Sequence, residues 1–180
     1  MSVEPPQLRM GFSHFARLVA PEPVPGYGLR TFRPGDEEVW IAILQTGELG
    51  TWDRPRLDEM MRGARAELPV DGIFFATYDD RPVGTACTLL HPGDGGRVAE
   101  LGWVAVAPEH RGHGLGLRVC HAVLDFIHRL GHGYAYLLTD DFRLPAIRIY
   151  LRLGFEPEIT DPSHPARWAA LRQALATDTR

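Results

Sequence analysis

Residues 98–130 read VAELGWVAVAPEHRGHGLGLRVCHAVLDFIHRL. The first ten, Val98 to Ala107, are nearly uncharged and rich in small or branched side chains, as expected of a strand covered on both faces. Pro108 cannot donate to a sheet ladder and predicts the end of that strand. Arg111-Gly112-His113-Gly114-Leu115-Gly116 then opens a helix whose apolar residues fall at Val119, Val123, Phe126, Ile127 and Leu130, one face of a 3.6-residue period. Glycines around a helix N-terminus leave backbone N–H groups unobstructed, and the helix dipole adds partial positive charge there. The combination is a seat for a phosphate, although a glycine-rich turn of this kind also serves structure alone.

Three phosphate-loop patterns compete for the segment. A P-loop ends in Gly-Lys-Ser/Thr, and the chain has no lysine. A dinucleotide fingerprint needs G-x-G-x-x-G and an acidic residue about 20 positions later; here the third glycine comes one position early and position 136 is Tyr136. The third pattern, Arg/Gln-x-x-Gly-x-Gly/Ala, is met by Arg111, Gly114 and Gly116.

Working outward, the 180 residues suit a single domain with a real core. The composition, 44% hydrophobic and 23% charged, is that of an ordinary globular chain. No apolar run reaches the ~18 residues of a membrane span, and MSVEPPQLRM has no apolar signal core. These features predict a cytoplasmic protein without membrane contact. Cys87 and Cys120 sit among apolar residues and read as buried free thiols. All 19 basic residues are arginines, dispersed singly, and the net charge is −4, which argues against a nucleic-acid surface.

Five of the fifteen prolines (Pro5, Pro6, Pro21, Pro23, Pro25) fall in residues 1–25. That stretch is expected to be an extended or partly disordered arm, with His14 to Val19 packing on the body, and residues 26–180 a single domain. Tyr27–Arg33 reads as the first strand and Glu37–Gln45 as a helix capped by Asp36; a second helix runs from Asp53 or Pro55 to Arg65 or Leu68. Ile73–Tyr78 and Val83–Leu90 form a hairpin around Asp79-Asp80-Arg81-Pro82, and His91 to Gly96 reads as a loop. Past the organising helix come a strand to Thr139, a helix with Pro145 in its first turn that stops at Gly154, a strand over Phe155–Thr160 and a last helix near Ala166–Ala176. Adjacent strands joined by short turns imply antiparallel pairing. The expected class is α+β: a mixed, largely antiparallel central sheet with flanking helices.

Two motifs carry a resemblance. Val104-Ala105-Val106-Ala107-Pro108 with the Arg111–Gly116 loop resembles the acyl-CoA motif of the GCN5-related N-acetyltransferases. Ala146-Ile147-Arg148-Ile149-Tyr150-Leu151-Arg152-Leu153-Gly154-Phe155 resembles the A-I-x-x-Y-x-x-x-G-F segment of the same superfamily. The likeness implies the acyl-CoA N-acyltransferase fold and acetyl-CoA as co-substrate, held in a V-shaped gap between two parallel strands. By it, the pyrophosphate lies on the amides of Gly112, His113, Gly114, Leu115 and Gly116. The pantetheine arm pairs with the edge of Val104, Ala105 and Val106, a backbone N–H near Val104 or Ala105 serves as oxyanion donor, and Arg111 orders the loop or meets a phosphate. The family often has asparagine three residues before the alanine of the second motif; this chain has Arg143.

Acyl transfer to an amine needs a neutral amine, a stabilised oxyanion and a protonated leaving thiolate. Glu100, the one acid inside the organising strand, is placed by strict alternation on the side of Gly102, Val104 and Val106. It reads as a base acting directly or through water, or as a glutamate paired with Arg97. Tyr150 reads as the acid that protonates the thiolate, or as a core tyrosine. Asp140 and Asp141 read as helix-start acids that also stand near an acceptor amine. His110, His113, His128 and His132 lack a metal-ligand pattern, so no metal is expected. The function implied is acetyl transfer from acetyl-CoA to the primary amine of a small molecule or peptide by direct attack in a ternary complex; an exposed edge strand and an apolar C-terminal helix are compatible with a homodimer. A non-catalytic acyl-CoA-binding sensor or assembly module is the alternative.

Overall fold

The computed structural model describes residues 5–63 and 65–177. Its centre is a seven-stranded sheet, built from β1 (Leu8–Phe12), β2 (Tyr27–Thr31), β3 (Ile73–Tyr78), β4 (Arg81–Gly93), β5 (Gly96–Val106), β6 (Ala135–Thr139) and β7 (Glu156–Glu158). The order across the sheet is β2-β3-β4-β5-β6-β1-β7, antiparallel throughout except for the parallel pair β5/β6. This is the mixed α+β arrangement expected from the sequence.

Helices α1 (Glu37–Gln45) and α2 (Arg54–Met61) cover one face; α3 (Leu115–Arg129), α4 (Leu144–Leu153) and α5 (His164–Thr177) lie on the other. Each face has its own core. Val119, Val123 and Ile127 of α3 are fully buried against Ala99, Leu101 and Val104, whereas Trp40, Ile41 and Leu44 of α1 pack with Phe75, Cys87 and Ala105. Leu130, expected on the buried face of α3, lies just past the helix and is exposed. No helix among the described residues is long and apolar enough to cross a membrane. Cys87 and Cys120 are both buried free thiols.

The largest correction concerns the expected arm. Met1–Glu4 lie outside the described residues, but Leu8–Phe12 is an inner strand paired with β6 on one side and β7 on the other. Leu8, Met10 and Phe12 alternate and are at most 2% exposed, each contributing about 1.5–3 kcal/mol by burial. Prolines flank this strand but do not enter it, so they bound it rather than prevent it.

Other differences are local. The 91–96 loop is a hairpin turn: β4 runs through to Gly93 and β5 starts at Gly96, with Asp94-Gly95 between them. Asp36 heads α1 without a side-chain cap bond, because its carboxylate accepts two bonds from the Arg30 guanidinium (2.6 and 2.9 Å) and one from the Arg33 N–H. That ion pair holds the Asp36 carboxyl below its usual range. Helix α2 ends at Met61, earlier than expected, where Gly63 takes a left-handed φ. The strand expected over Phe155–Thr160 narrows to Glu156–Glu158.

Candidate active site

The site grows out of an irregularity in β5. Cys87 pairs with Gly102 and Thr85 with Ala105, so Trp103 and Val104 together oppose Ala86. Such a β-bulge bends and twists the strand, and Trp103 adopts φ +54° to make it. The bulge also reverses which residues face which side. Glu100 and Gly102 pair with Leu89 and Cys87 of the α1/α2 core, and Trp103 and Ala105 join that face, whereas Val104 and Val106 turn to α3. Glu100 therefore does not share a face with Val104 and Val106, as uninterrupted alternation would require.

The parallel partner parts from β5 at the same place. Only Ala99 with Ala135 and Glu100 with Tyr136 are paired across β5 and β6. Beyond Glu100, β6 stays with β1 and β5 stays with β4, which opens a gap along the edge of Val104 and Val106. Ala107 N–H donates to the Val83 carbonyl, so Ala105, two residues away, turns its backbone to β4 as well. Its methyl group faces Gly47 just past α1, where a Cβ on Gly47 would lie 2.8 Å from it. The gap edge is thus Val104 and Val106 without Ala105. Two arginines meet that edge: Arg143 Nη2 donates to the Val104 carbonyl (2.9 Å) and Arg111 Nε to the Val106 carbonyl (3.0 Å). Arg111 also donates to the Thr46 carbonyl at 2.8 Å, tying the glycine loop to the end of α1.

At the mouth of the loop, Gly112 (φ +82°) and Gly114 (φ +73°) adopt left-handed backbone that favours glycine, and a Cβ on either would project into open space. Helix α3 has no side-chain cap at Gly114, so its first N–H groups point outward without a side-chain acceptor. This fits a phosphate seat. A cleft of about 580 Å³ adjoins it, with Arg17, Val19, Gly114, Leu117 and Arg152 on its walls. Leu115 is buried. Gly116 has a packing role, since its Cβ would fall 2.8 Å from Ile149 Cδ1 of α4. His113 is exposed and bonded to the His110 carbonyl (3.2 Å), with its ring 5.3 Å from that of Tyr27.

Glu100 and Tyr150 stand on opposite faces of the sheet, Glu100 where β5 and β6 part and Tyr150 in the core near Cys120 and Arg143. Glu100 is bound by His91 of β4 and Tyr136 of β6, while Arg97 pairs with Glu67 instead. Tyr150, on α4, is 2% exposed and belongs to the α3 core. Burial pushes its phenol up, with the nearby Cys120 adding to the shift and Arg143 opposing it, so the hydroxyl keeps its proton at neutral pH. Asp140 accepts from Gln7 and Asp141 pairs with Arg167 at 2.6 Å, so both are engaged in fastening the N-terminal strand and α5. Helix α4 begins at Leu144, past both acids. No metal-holding group of His, Cys, Asp and Glu exists among the described residues; His128 stacks on Phe15 at 5.0 Å.

His91, Tyr136, Arg17 and Arg152 were not singled out by sequence. His91 precedes Pro92-Gly93, which reads as a turn, and Tyr136 sits in a strand with ordinary alternation. Strand pairing brings both to Glu100.

Comparisons with known proteins agree with this geometry. The sequence model of the acetyltransferase (GNAT) family matches residues 37–155. A mycothiol acetyltransferase of Thermobispora bispora is 35% identical over 150 residues, covering 77% of this chain and 49% of the relative. One from Geodermatophilus obscurus is 33% identical, covering 82% and 49%. The chain therefore spans about half the length of these curated relatives. Among solved structures, a GCN5-related N-acetyltransferase from Kribbella flavida superposes with a TM-score of 0.62 at 25% identity, covering 87% of this chain and 56% of that one. With the glycine loop, the parted strands and the second motif all in place, the chain belongs to the acetyltransferase (GNAT) family.

Proposed function

We propose that the chain transfers the acetyl group of acetyl-CoA to a primary amine by direct attack in a ternary complex. The observation that carries this reading is the seam between β5 and β6: pairing ends at Glu100 with Tyr136, and an open backbone edge begins just beyond it. Gly112, Gly114 and the first amides of α3 would hold the pyrophosphate, with Arg17 and Arg152 flanking the adjoining cleft. The edge at Val104 and Val106 would take the pantetheine arm, and a β5 backbone N–H beside Val104 would polarise the carbonyl. The bound thioester supplies an activated acyl carbon and a thiolate leaving group.

The chain's own residues supply the proton chemistry. Glu100, only 13% exposed on its side chain, would take a proton from the amine as nitrogen becomes nucleophilic. Tyr150, kept protonated by burial, would donate to the departing sulfur. The two groups on opposite faces of the sheet would serve opposite ends of one transfer. Arg143 occupies one lone pair of the Val104 carbonyl and would compete with the arm there.

Relatives named mycothiol acetyltransferase support a small-molecule acceptor. The test is CoA release from acetyl-CoA with a panel containing the mycothiol acetyltransferase substrate, amino acids, aminoglycosides and short peptides. Turnover with a small amine is expected. CoA binding without turnover of any amine would make the chain an acyl-CoA-binding module and overturn the enzymatic reading.

A further inference from the structure

Glu100 is held asymmetrically. His91 Nε2 lies 2.6 Å from Oε2, and the Tyr136 hydroxyl lies 3.2 Å from the same oxygen. An ionised carboxylate has no proton to give, so His91 Nε2 carries the hydrogen and Tyr136 donates its own. Oε1 receives no hydrogen bond among the described residues. It lies on the Gly102 side, 3.9 Å from where a Cβ on that glycine would be, and β5 and β6 are parting there.

Tyr136 is fixed in turn from β1 and β7 on the same face of the sheet. The Arg9 guanidinium lies 3.8 Å over its ring; Arg9 is bonded to Glu158 Oε2 at 2.7 Å, and the Tyr134 hydroxyl donates to Glu158 Oε1 at 2.7 Å. Gly11 leaves the niche that Glu158 occupies, since a Cβ there would collide with its carboxylate. Five strands thus contribute to the orientation of one carboxylate.

We infer that His91 and Tyr136 are positioning residues that occupy Oε2 of Glu100 and reserve Oε1 for the proton of the acceptor amine. The inference rests on Glu100 being the base. In the step it serves, an N–H bond of the attacking amine breaks, its electron pair stays on nitrogen, and a lone pair of Oε1 forms the new O–H bond. Two donors on Oε2 prevent the side chain from turning its occupied oxygen to the substrate.

The groups facing this pair are Tyr136 from β6, with Arg9 of β1 beyond it, and Cys87 from β4. Burial, with the Glu100 charge adding to it, pushes both the Tyr136 phenol and the Cys87 thiol up. Neither titrates near neutrality.

The experiment measures kcat and KM for acetyl-CoA for His91→Phe, His91→Gln, Tyr136→Phe and Glu100→Gln, using the best amine from the acceptor panel. His91→Phe and Tyr136→Phe should each lower kcat about three- to tenfold with unchanged KM for acetyl-CoA. His91→Gln, which retains an N–H donor, should recover most of the rate. In the Glu100→Gln background, His91→Phe should cost nothing further. Wild-type kcat in both phenylalanine variants overturns the inference, as does a loss in His91→Phe as large as that in Glu100→Gln, which would make His91 itself the base. Wild-type rate in Glu100→Gln, or no turnover with any amine, overturns the reading beneath it instead. Tyr136→Phe removes one oxygen and keeps the ring, so it carries the test if a His91 variant fails to fold.

Discussion

The two parts of the sheet are assembled in different ways. Strands β2, β3, β4 and β5 follow one another across it, each antiparallel to the last. The β3/β4 turn at Asp79 and Asp80 has both residues at positive φ, as two-residue hairpins favour. Strands β6, β1 and β7 are gathered from residues 135–139, 8–12 and 156–158, and pair only after long loops close. Two residue pairs join the parts, and the candidate site lies where that joint ends. Its geometry belongs to neither part alone: Glu100 comes from one, Tyr136 and Arg9 from the other.

The sharpest way to break this comparison is to remove the charge at the joint. Glu100→Gln keeps the shape and should lower the rate of CoA release by about 10² to 10⁴ at pH 7. The deficit should narrow as pH approaches the amine's own pKa. An unchanged rate would leave the joint as a cofactor seat only.

A second test contrasts inner and edge strands. Leu8→Ala on β1 should cost about 2–5 kcal/mol, read as a lower thermal or denaturant midpoint. Leu29→Ala on β2, where the side chain is 41% exposed, should cost about 0.5 kcal/mol or less. Equal losses would contradict an inner position for the N-terminal strand.

The glycine loop is examined with Gly114→Asn. Asparagine tolerates left-handed backbone better than other side chains yet places bulk before the α3 amides, so CoA affinity by calorimetry should fall at least about tenfold. Retained affinity in a folded variant would move the phosphate elsewhere. Tyr150→Phe should lower kcat about tenfold while leaving CoA affinity unchanged; a drop in melting temperature without a kinetic effect would return Tyr150 to the core alone. The smallest effect expected is at Arg143. Arg143→Leu frees the Val104 carbonyl and should tighten CoA binding about threefold, the value of one modest hydrogen bond no longer exchanged. Weaker binding would mean that the guanidinium aids the cofactor.

Legibility in the sequence followed the same division. Turn chemistry and adjacency made β2 to β5 and their helices readable, since each strand's partner is the next segment of chain. The alternation of Leu8, Met10 and Phe12 was equally present, but a five-residue signal among prolines does not say with which distant strand it pairs. The glycine loop and Tyr150 were visible as motifs. The partners of Glu100 were not, because His91 and Tyr136 become its neighbours only through cross-strand register. The bulge at Trp103 has no compositional mark; tryptophan is an unusual residue for positive φ, and its effect was to turn the predicted face of Glu100 over.

The arginines on Val104 and Val106 have a consequence for solubility. A gap between parted strands is an unpaired sheet edge in the middle of the molecule, and bare edges invite strands from other chains. Two guanidinium groups place charge and donors on the carbonyls that such a strand would need. One comes from the loop before α3 and the other from the start of α4, so the guard is assembled only once both helices have docked. Before that, during folding, the edge of β5 is open to mispairing. Variants that lose both arginines should aggregate on refolding even where the native state is sound.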